Sequence, residues 1–540
     1  MRAMKLNHAA AFAGVFLTAI LIVSLVLIHE PTGLARADKQ AAKAAPANSN
    51  QNTPNAPATT NDVGLAREID RILSETESRQ GRFGVFVMSA TNARVLYARN
   101  SDQLFTPASN MKVYTTAVAL DLLGADYRWR TSVYANKQPD ANGTIDGDLT
   151  LYGRGAPDLL SKAKGDAPSL TKLADQLFQG GVREVRGNIV GDNSYFRGEL
   201  FGIGWQWNDL QWYFGAEPSA LSIDENSVEV TIAPGSKQGG SASVVINPDT
   251  SPVRLVNETK TGEQSDTSSI GIMRDLSGND LRVWGDFPVN GRAFSAFLSV
   301  HDPAMWAATL FKRALLSRGI KVGGEARTRD FRIAETDKFD AQKSVELAHE
   351  DSEPLSAIIR HTNKESDNLY AELILRTIGK ERGASVPDPD PRKSRQRGDD
   401  EAGTAVVRSW LESKGINTKG LAIRDGSGLS RLDLITPETT TRLLLAMSNA
   451  NGAGVFRDSL PIAGRDGTLN GRLKKLTGRL FAKTGTLTYV HSLSGYTVTP
   501  DNETLVFSIM CNDATGRDAV RILDDIATAI AEFRPNNPGK

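Results

Sequence analysis

The chain has 540 residues, with 63 Lys and Arg against 63 Asp and Glu, and a single cysteine. Zero formal net charge offers no concentrated basic face, which argues against nucleic acid as a partner; one cysteine excludes an intramolecular disulfide. The length exceeds one ordinary core, and at roughly 150 residues per domain two to four domains are expected.

Residues 1–37 read as an export signal. Ala9 to Ile28 is an uncharged, almost wholly apolar run after Arg2 and Lys5, and Ala35-Arg36-Ala37 is a small-x-small cleavage pattern. The run is about long enough to cross a bilayer, so membrane anchoring through the amino terminus competes with the expected cleavage after Ala37. Either outcome leaves the remainder periplasmic or otherwise extracytoplasmic. Residues 38–62, rich in Ala, Asn, Thr, Pro and Gln, bury too little apolar surface to order themselves and read as a flexible linker.

Leu65, Ile69, Ile72 and Leu73 have helical spacing within Gly64 to Ser78, and Gly84–Met88 and Arg94–Ala98 read as two strands. Pro107 suits a first helical turn, so Ser109 is expected near the amino end of a buried helix that stops near Gly124, with Lys112 on the same face at i+3. Short β-type runs then follow between Gly, Asn, Asp and Pro, among them Asp148–Tyr152, Gly187–Gly191, Val228–Ile232 and Ser243–Ile246. They suggest one or two β-rich accessory domains over 128–300, inserted between catalytic parts 63–127 and 301–540.

After His301-Asp302-Pro303, a helix is expected from Ala304 to Arg318, and further helices over Leu355–Arg360 and Ser366–Ile378. Gly383 to Ala402, with Pro-Asp-Pro-Asp-Pro and mixed charges, reads as a solvated loop. A helix over Pro437–Ser448 leads to three antiparallel strands, Leu480–Lys483, His491–Val498 and Glu503–Met510, and to a closing helix over Asp518–Phe533. Cys511 reads as a small buried hydrophobe.

Three short motifs carry chemistry: Ser109-Asn110-Met111-Lys112, Ser366-Asp367-Asn368 and Lys483-Thr484-Gly485. Each has chance copies, at Ser161–Lys164, Ser169–Lys172, Ser277–Asn279 and Lys260–Gly262, which fall in polar stretches where no ordered element is expected. In order, the chosen three make an acyl-transfer site. A serine hydroxyl needs a base as it attacks a carbonyl, and Lys112 can serve if burial and a nearby cation, Lys483, hold it partly neutral. Ser366 can relay a proton to the leaving amine, and Asn368 can orient Lys112. The backbone N–H groups of Ser109 and Thr486 are candidates for an oxyanion hole, worth roughly 3–4 kcal/mol per donor. Gly485 allows a ligand close to the strand, and Thr484 and Thr486 offer hydroxyls to a substrate carboxylate. A helix cap at Ser109 with Lys112 at the surface is the bland alternative, outweighed by the ordered trio.

The six histidines, His8, His29, His301, His349, His361 and His491, form no His-Glu-x-x-His pair and read as structural or surface residues. No metal and no cofactor is expected.

Beyond the trio, the chain resembles the class C penicillin-binding proteins, D-alanyl-D-alanine carboxypeptidases and endopeptidases of peptidase family S13. The likeness includes Gly187–Asp192, Ser352–Leu355, Asp425-Gly426-Ser427-Gly428-Leu429-Ser430-Arg431 and Leu460–Leu469, and covers about 65 to 533. It implies a multidomain α+β fold, with a transpeptidase-like domain of antiparallel sheet and flanking helices interrupted by β-rich inserted domains. It also implies a covalent ester on Ser109, peptidoglycan stem peptides as substrates and β-lactam antibiotics as covalent inhibitors, with the motif residues in the roles given above. Gly153-Arg154-Gly155-Ala156-Pro157 departs from the Gly-Gly-Gly-Asp-Pro more usual there. Two alternatives stand beside this reading: a serine β-lactamase, which needs a deacylation base not identifiable in the sequence, and a catalytically silent peptidoglycan-binding protein.

Overall fold

The strand Thr504–Asn512 divides its side chains between two cores. Leu505, Phe507, Ile509 and Cys511 face one hydrophobic cluster, and Val506 and Met510 face another, the two-residue alternation of a strand covered on both sides. In the computed structural model, which describes residues 62–74, 81–160, 168–264, 267–333, 336–388, 397–516 and 518–534, this strand is the middle of a five-stranded antiparallel sheet. The order across it is Leu480–Leu487, Val490–Val498, Thr504–Asn512, Arg82–Ser89 and Val95–Arg99. Helices Val63–Ser74 and Ala519–Ala531 cover one face; Met111–Leu123 and Pro437–Ser448 contribute to the core on the other. Cys511 is fully buried, as expected.

Met111 to Leu120 are all buried, so this helix is enclosed on every side. It stops at Gly124, whose φ of 88° a side chain would disfavour. Residues 1–61, which hold the expected signal and linker, lie outside the described residues, as do 75–80 at the end of the first expected helix. No helix among the described residues is long and apolar enough to cross a membrane.

The inserted region contains a mixed five-stranded sheet in the order Ala326–Arg329, Ile189–Asp192, Leu149–Tyr152, Arg130–Ala135, Val345–Asp351. Three three-stranded sheets accompany it among the described residues, centred on Ser227–Ala233, Asp280–Pro288 and Glu184–Val185. Along Ser227–Ala233 only Val228, Val230 and Ile232 are buried, the alternation of a strand with one face covered.

The packing corrects the expected return to the catalytic domain at residue 301. Helix Pro303–Ser317 shares a core with Val133, Leu149 and Ile189 through Trp306, Ala307 and Phe311, and two later strands complete the five-stranded sheet. The chain rejoins the catalytic layers at helix Leu355–Lys364. The capping Asp302, which accepts from Met305 N, and Pro303 mark where a helix begins, but they carry no information on which sheet it will cover.

A second correction concerns 383–402. Helix Asp399–Ser413 starts inside the expected loop and was not anticipated. Asp399 and Asp400, which read as solvated charges, are buried, with Asp399 accepting from Arg197 N at 2.7 Å.

Candidate active site

Ser109 sits in a single 3-10 turn, Ala108–Asn110, that leads into the enclosed helix. Its neighbours Ala108 and Asn110 are buried while Ser109 itself is half-exposed. The turn is held by Asn110, whose Nδ2 donates to Lys483 O at 3.2 Å and to Ser492 Oγ at 2.5 Å, and by Ser492, whose hydroxyl donates to Pro107 O at 2.7 Å. Both residues were missed in the sequence, where nothing distinguishes them from ordinary polar positions. Ala108 has a φ of 49° and Ser366 a φ of 63°, so left-handed backbone flanks the cleft on both sides, a conformation that costs energy and clusters at functional sites.

Lys112 is fully buried, and its Nζ lies 3.1 Å from Ser109 Oγ, 2.6 Å from Asn368 Oδ1 and 2.8 Å from Ser427 O. Two of these partners, the carboxamide oxygen and the backbone carbonyl, can only accept. A neutral amine therefore uses both its N–H bonds on them and turns its lone pair toward the serine hydroxyl. Asn368 is itself oriented by the inserted region, because its Nδ2 donates to Phe214 O at 2.7 Å. Asn368 opens the helix Asn368–Arg382, capped by Asp367, which accepts from Tyr370 N at 3.0 Å.

On the far side of the cleft Lys483 is also fully buried, with Nζ 2.9 Å from Ser366 Oγ and 2.9 Å from Thr484 O. Lys483 lies on the edge strand Leu480–Leu487. Ala482 N donates outward from that edge to Pro461 O, and with a two-residue period the N–H groups of Thr484 and Thr486 point outward as well. Gly485 has a further reason besides the one expected. A Cβ there would lie 2.2 Å from Ser492 Oγ, 2.7 Å from Pro107 O and 3.0 Å from Ser109 N, so Ser492 and the turn bearing Ser109 already require a glycine at this position.

Burial lowers the Lys112 ammonium to about 8, against the pull of Asp425, Asp367 and Glu372 in the other direction. Burial, and after it the charge of Lys112, pushes Lys483 well below its ordinary range. Of the two influences expected to hold Lys112 partly neutral, burial is the dominant one. Of these carboxylates Asp425 opens the loop Asp425–Arg431, whereas Glu372 lies on helix Asn368–Arg382 and Asp367 caps it. Glu372 Oε1 accepts from Gly426 N at 3.0 Å and Ser427 N at 2.9 Å. Asp425 accepts from Gly428 N, Ser430 N and the Trp205 indole at 2.7, 2.8 and 2.9 Å. Together they aim the Ser427 carbonyl at Lys112. Burial and the neighbouring Asp425 raise the Glu372 carboxyl to about 8.

Two of the chance motif copies lie on ordered elements after all, Ser169–Lys172 on helix Ser169–Gln179 and Lys260–Gly262 on strand Arg254–Gly262. In the first of these Lys172 Nζ pairs with Glu350 at 3.0 Å. Ser161–Lys164 lies outside the described residues. Among the described residues one group carries metal-type donors, the half-buried Glu225, His361 and Asp367. His361 Nε2 is 3.4 Å from Asp367 Oδ2 and 3.9 Å from Glu225 Oε1, an ion-pair arrangement. Burial opposes the imidazolium, and the two carboxylates outweigh it and raise the group.

A sequence profile of the D-Ala-D-Ala carboxypeptidase 3 (S13) family matches residues 65–533, nearly all of the described chain. The chain belongs to this S13 family. It is 33% identical over 483 residues to a D-alanyl-D-alanine carboxypeptidase of Actinomadura sp. (strain R39), covering 87% of this chain and 85% of that protein. A 26% identity over 432 residues relates it to D-alanyl-D-alanine carboxypeptidase DacB of Haemophilus influenzae, covering 78% and 84%. The crystal structure of penicillin binding protein 4 (dacB) from Haemophilus influenzae superposes with a TM-score of 0.73 at 24% identity, over 86% of this chain and 99% of that one. That agreement establishes the multidomain penicillin-binding fold for the S13 chain described here.

Proposed function

We infer that this chain is a serine D-Ala-D-Ala carboxypeptidase acting on peptidoglycan stem peptides outside the cytoplasm, acylated at Ser109, and inhibited covalently by β-lactams. Family membership and the relatives named as D-alanyl-D-alanine carboxypeptidases support the activity. A solved Haemophilus influenzae penicillin binding protein 4 complexed with a β-lactam supports the inhibitor class. The observation that carries the reading is the hydrogen bonding of Lys112, whose two pure acceptors leave a lone pair for the Ser109 proton 3.1 Å away.

In this scheme Lys112 takes the Ser109 proton as Oγ attacks the carbonyl carbon of the penultimate D-Ala. The Ser109 and Thr486 amides receive the developing oxyanion. The proton then passes through Ser366, which the Lys483 amine touches from the other side, to the departing D-Ala nitrogen, and the C–N bond breaks. The substrate carboxylate, lying against Thr484, Thr486 and Lys483, restores the charge on Lys483 that burial disfavours. Water then attacks the ester carbonyl, gives a proton to the same base and releases Ser109. The inserted region, from about Arg130 to Asp351, forms one wall of the cleft through Trp205 and Phe214.

Incubation with purified muropeptides, followed by mass analysis, tests the activity. Loss of one alanine marks a carboxypeptidase; conversion of dimers to monomers marks cleavage of D-amino cross-links. A labelled penicillin that failed to mark the protein, or marked Ser109→Ala equally well, would refute the reading.

A further inference from the structure

Three chain segments close into a ring beside the Lys483–Ser366 contact. Lys364, two residues before Ser366, is buried and donates to both carboxylate oxygens of Asp466 at 2.8 Å and to Leu460 O at 2.7 Å. Asp466 also accepts from Ile462 N at 2.8 Å. Gly467 turns with a φ of 54°, and a Cβ there would lie 2.7 Å from Lys364 O, so the turn sits directly on the segment leading to Ser366. Next in the chain, Thr468 puts its hydroxyl 2.7 Å from that of Thr484. Lys483, adjacent to Thr484, returns to Ser366 at 2.9 Å.

A threonine hydroxyl has one proton and two lone pairs, so within the Thr468–Thr484 pair either oxygen can donate. An anion arriving beside Thr484 removes that freedom. Thr484 gives its proton to the anion, Thr468 gives its own to Thr484, and each bond polarises the other. We propose that Thr468 is a specificity-determining positioning residue for substrates ending in a free carboxylate, its hydroxyl directing the Thr484 proton at that carboxylate while the Lys364–Asp466 ion pair holds it in place. The inference rests on the carboxypeptidase reading above. Thr468 is exposed, so changing it removes the hydroxyl without opening a core cavity.

The test compares a peptide ending in D-Ala-D-Ala with its C-terminal amide, using wild type, Thr468→Val and Thr468→Ser. Thr468→Val is expected to lower kcat/KM for the free acid about fivefold, the scale of a lost hydrogen bond between two neutral groups. The amide should change less than twofold, and Thr468→Ser should recover the free-acid rate. Acylation by a penicillin against its methyl ester should follow the same pattern and supplies the contrast if the amide is too slow to measure. Equal losses on both members of a pair, or no loss on either, would overturn the inference while leaving the peptidase reading intact. A wild-type protein that neither cleaves the peptide nor reacts with penicillin would overturn both.

Discussion

Asn368 Oδ1 approaches Lys112 Nζ to 2.6 Å, closer than the Ser109 hydroxyl that the amine is to deprotonate. The carboxamide therefore fixes which way the Lys112 lone pair faces, and its neutrality matters as much as its shape. Asn368→Asp would add a charge at that distance and favour the ammonium. The acid limb of kcat/KM is expected to move up by at least about one pH unit, read from the pH profile of turnover against wild type.

In the proposed mechanism the base is Lys112 in its neutral form, and burial lowers its ammonium to about 8. Below that value the proton stays on and Ser109 has no acceptor; above it the neutral fraction saturates. Penicillin acylation rates are expected to rise about tenfold per pH unit on the acid side and level off above pH 8. Lys112→Arg, which cannot lose its proton in this range, should leave a rate at least about 10²-fold lower across the whole profile.

Ser366 Oγ accepts from Lys483 Nζ at 2.9 Å, and in the proposed scheme its hydroxyl hands the proton to the leaving amine. Ser366→Ala is expected to slow turnover by about 10²-fold or more, with the melting temperature unchanged within a degree or two. A change in peptide turnover matched by an equal loss of thermal stability would argue for a structural role instead.

Much of this site could be read in the sequence because Ser-x-x-Lys, Ser-x-Asn and Lys-Thr-Gly are local patterns, and their order is enough to bring Ser109, Lys112, Ser366, Asn368 and Lys483 together. What escaped is what depends on long-range contact. Asn110, Ser492, Glu372 and Phe214 O act through partners more than 50 residues away, and no local spacing announces them. Helix Asp399–Ser413 was hidden for a related reason: its acidic first turn resembles in composition the mixed-charge run before it, and only the fold shows Asp399 and Asp400 buried. The extent of the insertion was misread because a capping signal such as Asp302-Pro303 fixes a helix start and is silent about what the helix packs on.

Gly428 has a φ of 81°, and a Cβ there would lie 1.8 Å from Ala108 O, next to the nucleophile. Gly428→Ala should therefore displace the Ser109 turn. The expected outcome is a destabilisation of about 1–3 kcal/mol by thermal unfolding together with a penicillin-labelling rate well below that of wild type.

In the inserted region Arg329 and Asp192 form a buried ion pair at 2.8 Å, with Asp337 as a second partner of the arginine at 2.9 Å. Asp192→Ala leaves that guanidinium only partly compensated in a site with little water. The cost should be about 3 kcal/mol in a denaturation experiment, with penicillin labelling of the folded fraction intact.

The hydrogen-bond ladder that seats Arg82–Ser89 beside Thr504–Asn512 joins strands from opposite ends of the polypeptide, and the edge carrying Lys483 hangs from the later one through Val490–Val498. A nascent chain still emerging from the ribosome has its hydroxyl nucleophile long before it has the sheet that arms it. That sheet can close only once Thr504–Asn512 has been made, so the ladder seating Lys483 is among the last parts of the fold to form.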